Sequence, residues 1–201
     1  MNLSLVTSFI VSGVLILMLG WMTLGVSYNS KDIVLSQAKQ SNKMDVSQII
    51  SYDFPKIGYS GDIDIDSLIV TAKSNKIAFF SNIDNSADNS IEKIIWEFTN
   101  REVTSTANPN DFILARTIDG VETEITLGVT EFRINYYDEL GSQVPLSFPL
   151  SVADINSIRQ IEVELVIESA DQLKLRSSSP ENYVRTAWIK RFTPRNLPTN
   201  L

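Results

Sequence analysis

The chain contains no histidine and no cysteine. Without imidazole there is no His general base and no His-containing triad, and the commonest metal ligand is gone. Without thiols there are no Cys nucleophiles, disulfides, iron–sulfur clusters or thiolate zinc sites. Zero cysteine suits both the cytosol and the cell envelope, so it does not choose a compartment. Charge is missing from one end as well. Met1–Ser30 carries no Asp, Glu, Lys or Arg, the first charge is Lys31, and no Glu precedes Glu92. An enzyme built on this sequence would have only carboxylates, hydroxyls, Lys and Tyr to work with.

What is present averages to an ordinary domain: 201 residues, 43% hydrophobic, 20% charged, net charge −7. The uncharged end makes that average misleading, because all the charge is packed into the remaining chain. From Lys31 to Leu173 there are 11 basic residues against 23 acidic ones, whereas from Lys174 onward six basic residues face only Glu181. An acidic body argues against nucleic-acid binding, which needs a cationic face to displace counterions from phosphates. The basic C-terminal stretch reads better as a strand beside acidic neighbours than as a phosphate site.

Leu3–Val26 is 24 residues without a charge, about 36 Å as a helix and enough to cross a hydrocarbon layer of about 30 Å. A cleaved signal peptide would show a basic n-region, a shorter apolar run and a small-x-small cleavage site. None of these is visible, so an uncleaved anchor is expected. Lys31, Lys39 and Lys43 follow the run, and the positive-inside rule applied to them places the C-terminal body in the cytoplasm. Helical spacing then continues through Val34, Leu35, Ala38, Val46, Ile49 and Ile50, with no Pro or Gly until Pro55. The expected organisation is α+β: a transmembrane helix over 1–28, its amphipathic continuation over 29–55, and an antiparallel β-rich domain over 56–201.

Past Gly61 the hydrophobic period becomes two. Alternation at Ile63, Ile65 and Leu68 predicts a strand, followed by strands over 76–81, 91–99, 112–118, 122–127, 129–137, 160–168 and 183–193. Turn signals at Asp84-Asn85, Asn108–Asp111, Asp119-Gly120 and Glu139–Gly141 separate them, which predicts antiparallel sheet rather than βαβ units. Ser151 and Asp154 can cap one turn of helix over 151–157.

Several strings resemble one family. A long apolar-then-amphipathic helix runs into Ile49-Ile-Ser-Tyr-Asp-Phe-Pro-Lys-Ile-Gly-Tyr59. Ile77–Asn85 and Ile91–Phe98 form a hairpin-like pair. Asn108–Arg116 is followed by Gly128-Val-Thr-Glu-Phe-Arg-Ile-Asn-Tyr-Tyr-Asp-Glu-Leu-Gly141, and Ile158–Leu165 and Thr193–Leu197 close the chain. In this order they are similar to PilW-type minor pilins of type IV pili and to the J class of minor pseudopilins of type II secretion. The resemblance implies a pilin-like fold and a structural role without catalysis or cofactor. It implies a single-pass inner-membrane protein whose C-terminal domain is periplasmic or extracellular, opposite to the charge rule. Its partners would be membrane lipid and other pilin-like subunits, met through a helix face containing Leu5, Phe9, Gly13, Leu17, Gly20, Trp21 and Leu24. The sequence departs from the family at its start: Phe9 follows Ser8, and the Gly-Phe-Thr-Leu-x-Glu processing motif and its Glu are absent. That fits a fibre-initiating subunit or a relative that stays in the membrane. The alternative function is a signal-anchored extracytoplasmic binding domain outside any filament.

Other chemistry is weaker. Asp62-Ile-Asp-Ile-Asp66 fails the EF-hand pattern at Ser67 and Lys73. Asp84, Asn85, Asp88 and Asn89 offer oxygen ligands in one loop and are weak calcium candidates beside a polar hairpin turn. Ser36–Lys39 and Ser90–Lys93 are Ser-x-x-Lys strings without the Lys-Thr-Gly partner that the nucleophile motif needs. Glu122 and Glu124 share one strand face, toward water. Trp96, Tyr136, Tyr137 and Trp188 suit either a sugar platform or, more commonly, core packing.

Overall fold

A long helix, α1, runs over Leu3–Asp53 in the computed structural model, which describes residues 3–59, 68–85, 90–172 and 183–197. Contacts divide the chain into two units, Met1–Ala38 and Lys39–Leu201. The described residues of the first are all helix. Pro55 stops α1 as anticipated, because it cannot continue the backbone hydrogen-bond ladder, and a single 3-10 turn follows over Phe54–Lys56.

The second unit carries two antiparallel sheets. Strands β1 (Ile69–Ala72), β2 (Lys76–Ser81), β3 (Glu92–Glu102), β4 (Phe112–Ile118) and β5 (Val121–Ile125) form one sheet in sequence order. Strands β6 (Val129–Tyr137), β7 (Gln160–Glu168) and β8 (Arg185–Phe192) form the other, and a short helix α2 (Val152–Ser157) precedes β7. The α+β architecture and antiparallel pairing follow the expectation from period and turns. The strand expected at Ile63–Leu68 falls almost wholly outside the described residues. Strand β1 was not anticipated, since Ile-Val-Thr-Ala is too short to show a period.

Alternation puts Ile161, Val163, Leu165 and Ile167 of β7 inside, and Glu162 and Glu164 outside. The same logic buries Ile77 and Phe79 of β2, Ile94 and Trp96 of β3 and Leu114 of β4. Residues Val46, Ile50 and Phe54, spaced by four, join this core from the end of α1 and the turn after it. Each such burial stabilises the unit by about 1.5–3 kcal/mol. The sheets are tied where Ile134 N donates to Ser74 O at 2.7 Å and Tyr136 OH donates to Lys73 O at 3.1 Å. Trp96 and Tyr136 are thus core residues, while Tyr137 stacks under the Arg191 guanidinium at 3.8 Å, so the four aromatics do not form one platform.

Candidate assembly helix and its anchor

Val6–Val26 is 21 residues of helix without a charge, none of it buried within the structure. At a rise of 1.5 Å per residue it spans about 32 Å. Thr23 keeps its hydroxyl inside the helix by donating to Leu19 O at 2.8 Å, so this polar position asks nothing of water. Phe9, Leu17, Trp21 and Leu24 are all exposed, and a Cβ added at Gly13 or Gly20 would meet nothing within 4 Å. The Leu5 side chain lies outside the described set. Spacings of three and four place Phe9, Gly13, Leu17, Gly20 and Leu24 along one stripe, with Trp21 on its flank. Such a surface is stable only in lipid or against other apolar helices.

The end of α1 is built differently. Asp53 is fully buried, and its carboxylate is saturated by cross-strand neighbours. Trp96 Nε1 donates to Oδ2 at 2.9 Å, Arg116 Nε donates to Oδ2 at 2.7 Å, and Arg116 Nη2 donates to Oδ1 at 2.8 Å. Trp96 and Arg116 sit opposite each other in the β3–β4 register, which brings both donors under the last turn of α1. A bidentate guanidinium fixes direction as well as distance, so the last turn of α1 is tied to the sheet within the second unit. Sequence reasoning missed this cluster. Asp53 and Arg116 both lie in strings quoted above, yet they are 63 positions apart and nothing local couples them.

The oxygen-rich loop after β2 is occupied by a side-chain cation. The Lys56 ammonium donates to Tyr52 OH at 2.6 Å, Ile83 O at 3.0 Å and Asn85 Oδ1 at 3.2 Å. These are two of the oxygens a calcium ion would draw on from this loop, together with the Tyr52 hydroxyl. Asp84 is exposed beside them, and Asp88 and Asn89 lie outside the described residues, as do Asp62, Asp64 and Asp66. Among the described residues no three His, Cys, Asp or Glu side chains gather to hold a metal. Ser90 donates to Glu92, whose other oxygen accepts from Ile83 N at 2.8 Å, so this Ser closes a turn. Glu122 and Glu124 both pair with Arg101.

The proton affinities of Tyr136 and Asp154 are shifted for clear reasons. Burial pushes the Tyr136 hydroxyl well above its ordinary value. The Ser151 hydroxyl and backbone N–H hold the Asp154 carboxyl below its ordinary value, which is the reciprocal cap anticipated for α2.

No protein-family model and no curated protein matches the sequence. A solved structure, the type IV-like pilin TTHA1219 from Thermus thermophilus, is similar with a TM-score of 0.50 and 11% identity, covering 80% of this chain and 98% of that one. At that identity the likeness concerns the fold and does not reach a subclass such as the PilW type or the J class. An uncharged N-terminal helix followed by antiparallel sheets, in this arrangement, is a type IV pilin-like fold.

Proposed function

We propose that this protein is a structural subunit of a type IV pilus or a type II secretion-like envelope filament, of the minor pilin or minor pseudopilin kind, without catalysis. Residues 1–28 lie in the inner membrane, 29–55 continue the helix, and 56–201 form the domain on the periplasmic or extracellular side. Membrane lipid surrounds the apolar stretch, and helices of other pilin-like subunits meet it along Phe9, Gly13, Leu17, Gly20 and Leu24. The observation that carries this reading is the fully exposed, uncharged Val6–Val26 on a chain with a pilin-like fold. A helix apolar all round has no stable place in water.

Protease accessibility in spheroplasts tests the orientation. Digestion of the 56–201 domain from outside is expected, and its protection would overturn the proposal in favour of the orientation that Lys31, Lys39 and Lys43 indicate. Recovery of the detergent-solubilised chain solely as a monomer, after cross-linking in the membrane, would overturn the assembly role.

A further inference from the structure

Asp53 sits within the apolar stripe by which the last turns of α1 meet the sheets. At about 100° per residue, Ile49, Asp53, Val46 and Ile50 follow one another around the helix inside a sector of about 100°. Val46, Ile50 and Asp53 are buried, and Ile49 at the margin is 40% exposed. A carboxylate in such a place is a poor source of stability, because taking it out of water offsets most of its attraction for a cation. Apolar side chains of similar volume commonly fill the space of a buried ion pair without loss.

What an apolar stripe lacks is a preferred rotation. Turning the segment by about 40° would bring Ile49 to the angle of Asp53 and Val46 to the angle of Ile50. Aliphatic groups would still face the core, and exchanges that conserve volume cost little. The polar groups do not tolerate the turn. It would carry Asp53 away from Trp96 Nε1, Arg116 Nε and Arg116 Nη2, which donate to it at 2.9, 2.7 and 2.8 Å, and leave buried partners unpaired on both sides. The other bonds of this segment to the sheets, Tyr52 OH donating to Ile83 O at 2.9 Å and Lys190 Nζ donating to Ser51 Oγ at 3.2 Å, come from exposed side chains, whose lost bonds water replaces.

We infer that the Asp53–Trp96–Arg116 cluster is a rotation lock: it selects one rotation of the Lys39–Asp53 segment against the sheets, without adding to stability, and so decides which face of that segment is turned to water. That face carries Met44, Ile49 and Tyr52. A lone polar residue in a coiled-coil seam acts in the same way, fixing register at a cost in stability. The lock lies entirely within Lys39–Leu201 and does not depend on the assembly role.

The absence of cysteine makes the test direct. Asp53→Leu, Trp96→Phe and Arg116→Met are combined in the full-length chain, which removes every polar member of the cluster at once. Nitroxide labels are placed at Met44→Cys with Val121→Cys, and separately at Met44→Cys with Val144→Cys, all exposed positions, and distances are read by pulsed EPR in detergent micelles. The unaltered cluster should give one narrow distance for each pair, and the triple variant a broadened or split distribution in at least one of them. Its denaturation midpoint, followed by circular dichroism, should lie well above that of Arg116→Met alone and close to that of the unaltered chain. A single narrow distance in both pairs of the triple variant overturns the lock, because apolar packing then sets the rotation. A midpoint as low as that of Arg116→Met alone overturns it as well, since the cluster is then a source of stability. Broadening that extends to a Val121–Val144 control pair marks loosening of the whole domain and overturns the assignment to α1.

Discussion

Asp53 and Arg116 form a bidentate pair, with N···O distances of 2.7 and 2.8 Å, that joins the last residue of α1 to β4 of the five-stranded sheet. The pair is asymmetric: the Asp53 side chain is fully buried and that of Arg116 is 19% exposed. Removing the cation therefore strands a carboxylate with no access to water, whereas removing the anion leaves a guanidinium that can hydrate.

Arg116→Met should destabilise the domain by about 3–5 kcal/mol, the range for breaking a buried pair from one side. Asp53→Asn keeps an oxygen for Trp96 Nε1 and should cost less. Chemical denaturation of the detergent-solubilised chain, followed by Trp fluorescence, ranks the two. Equal losses would contradict the asymmetry.

Gly128 and Gly120 both have positive φ, +82° and +85°, yet alanine should behave differently at each. At Gly120 an added Cβ meets nothing within 4 Å, so only the left-handed backbone strain of about 1–2 kcal/mol applies. At Gly128 it would lie 2.4 Å from the backbone oxygen of Glu168, the residue whose N–H donates to Gly128 O at 2.8 Å. Gly128→Ala should therefore lower Tm clearly more than Gly120→Ala, and a similar shift for both would contradict the steric reading.

Calcium should not raise Tm. A ligand stabilises only in proportion to its binding to the folded chain, and Lys56 already sits among Tyr52 OH, Ile83 O and Asn85 Oδ1. Lys56→Met should cost about 1 kcal/mol through loss of these charge-assisted bonds. A Tm raised by millimolar calcium in the unaltered chain would contradict this assignment.

Asp154 should titrate below the ordinary Asp range, because Ser151 donates to its ionised form from both its hydroxyl and its backbone N–H. A carboxyl with a depressed folded pKa contributes its stabilisation above the unfolded pKa and loses it as pH falls through the folded one. The cap on α2 should accordingly persist through mild acid and open only below the usual Asp value. Carboxyl NMR of the full chain in micelles measures this, and Ser151→Ala should move the Asp154 titration upward.

Legibility in the sequence tracked distance along the chain. The Ser151–Asp154 cap was readable because both partners lie within one turn of helix. The end of α1 was readable from Pro55, and β6 and β7 from strict alternation. The division into sheets of five and three strands was not, since the strand signals run straight through Leu127-Gly128. The Lys56 ammonium in the Asn85 loop was equally invisible, because its acceptors are 27 and 29 residues away.

What the amino-acid order determined alone was the uncharged helix, its length, the antiparallel character of the body and the missing chemistry of histidine and cysteine. These follow from local propensity, period and composition, which do not depend on where distant segments lie. Only the tertiary structure decided that Asp53 meets Trp96 and Arg116, that Tyr137 is buried under the Arg191 guanidinium while its neighbour Tyr136 enters the core between the sheets, and that Arg133 and Arg185 are more exposed than the carboxylates they pair with. Each depends on strand order and register, which are set by packing the whole core at once.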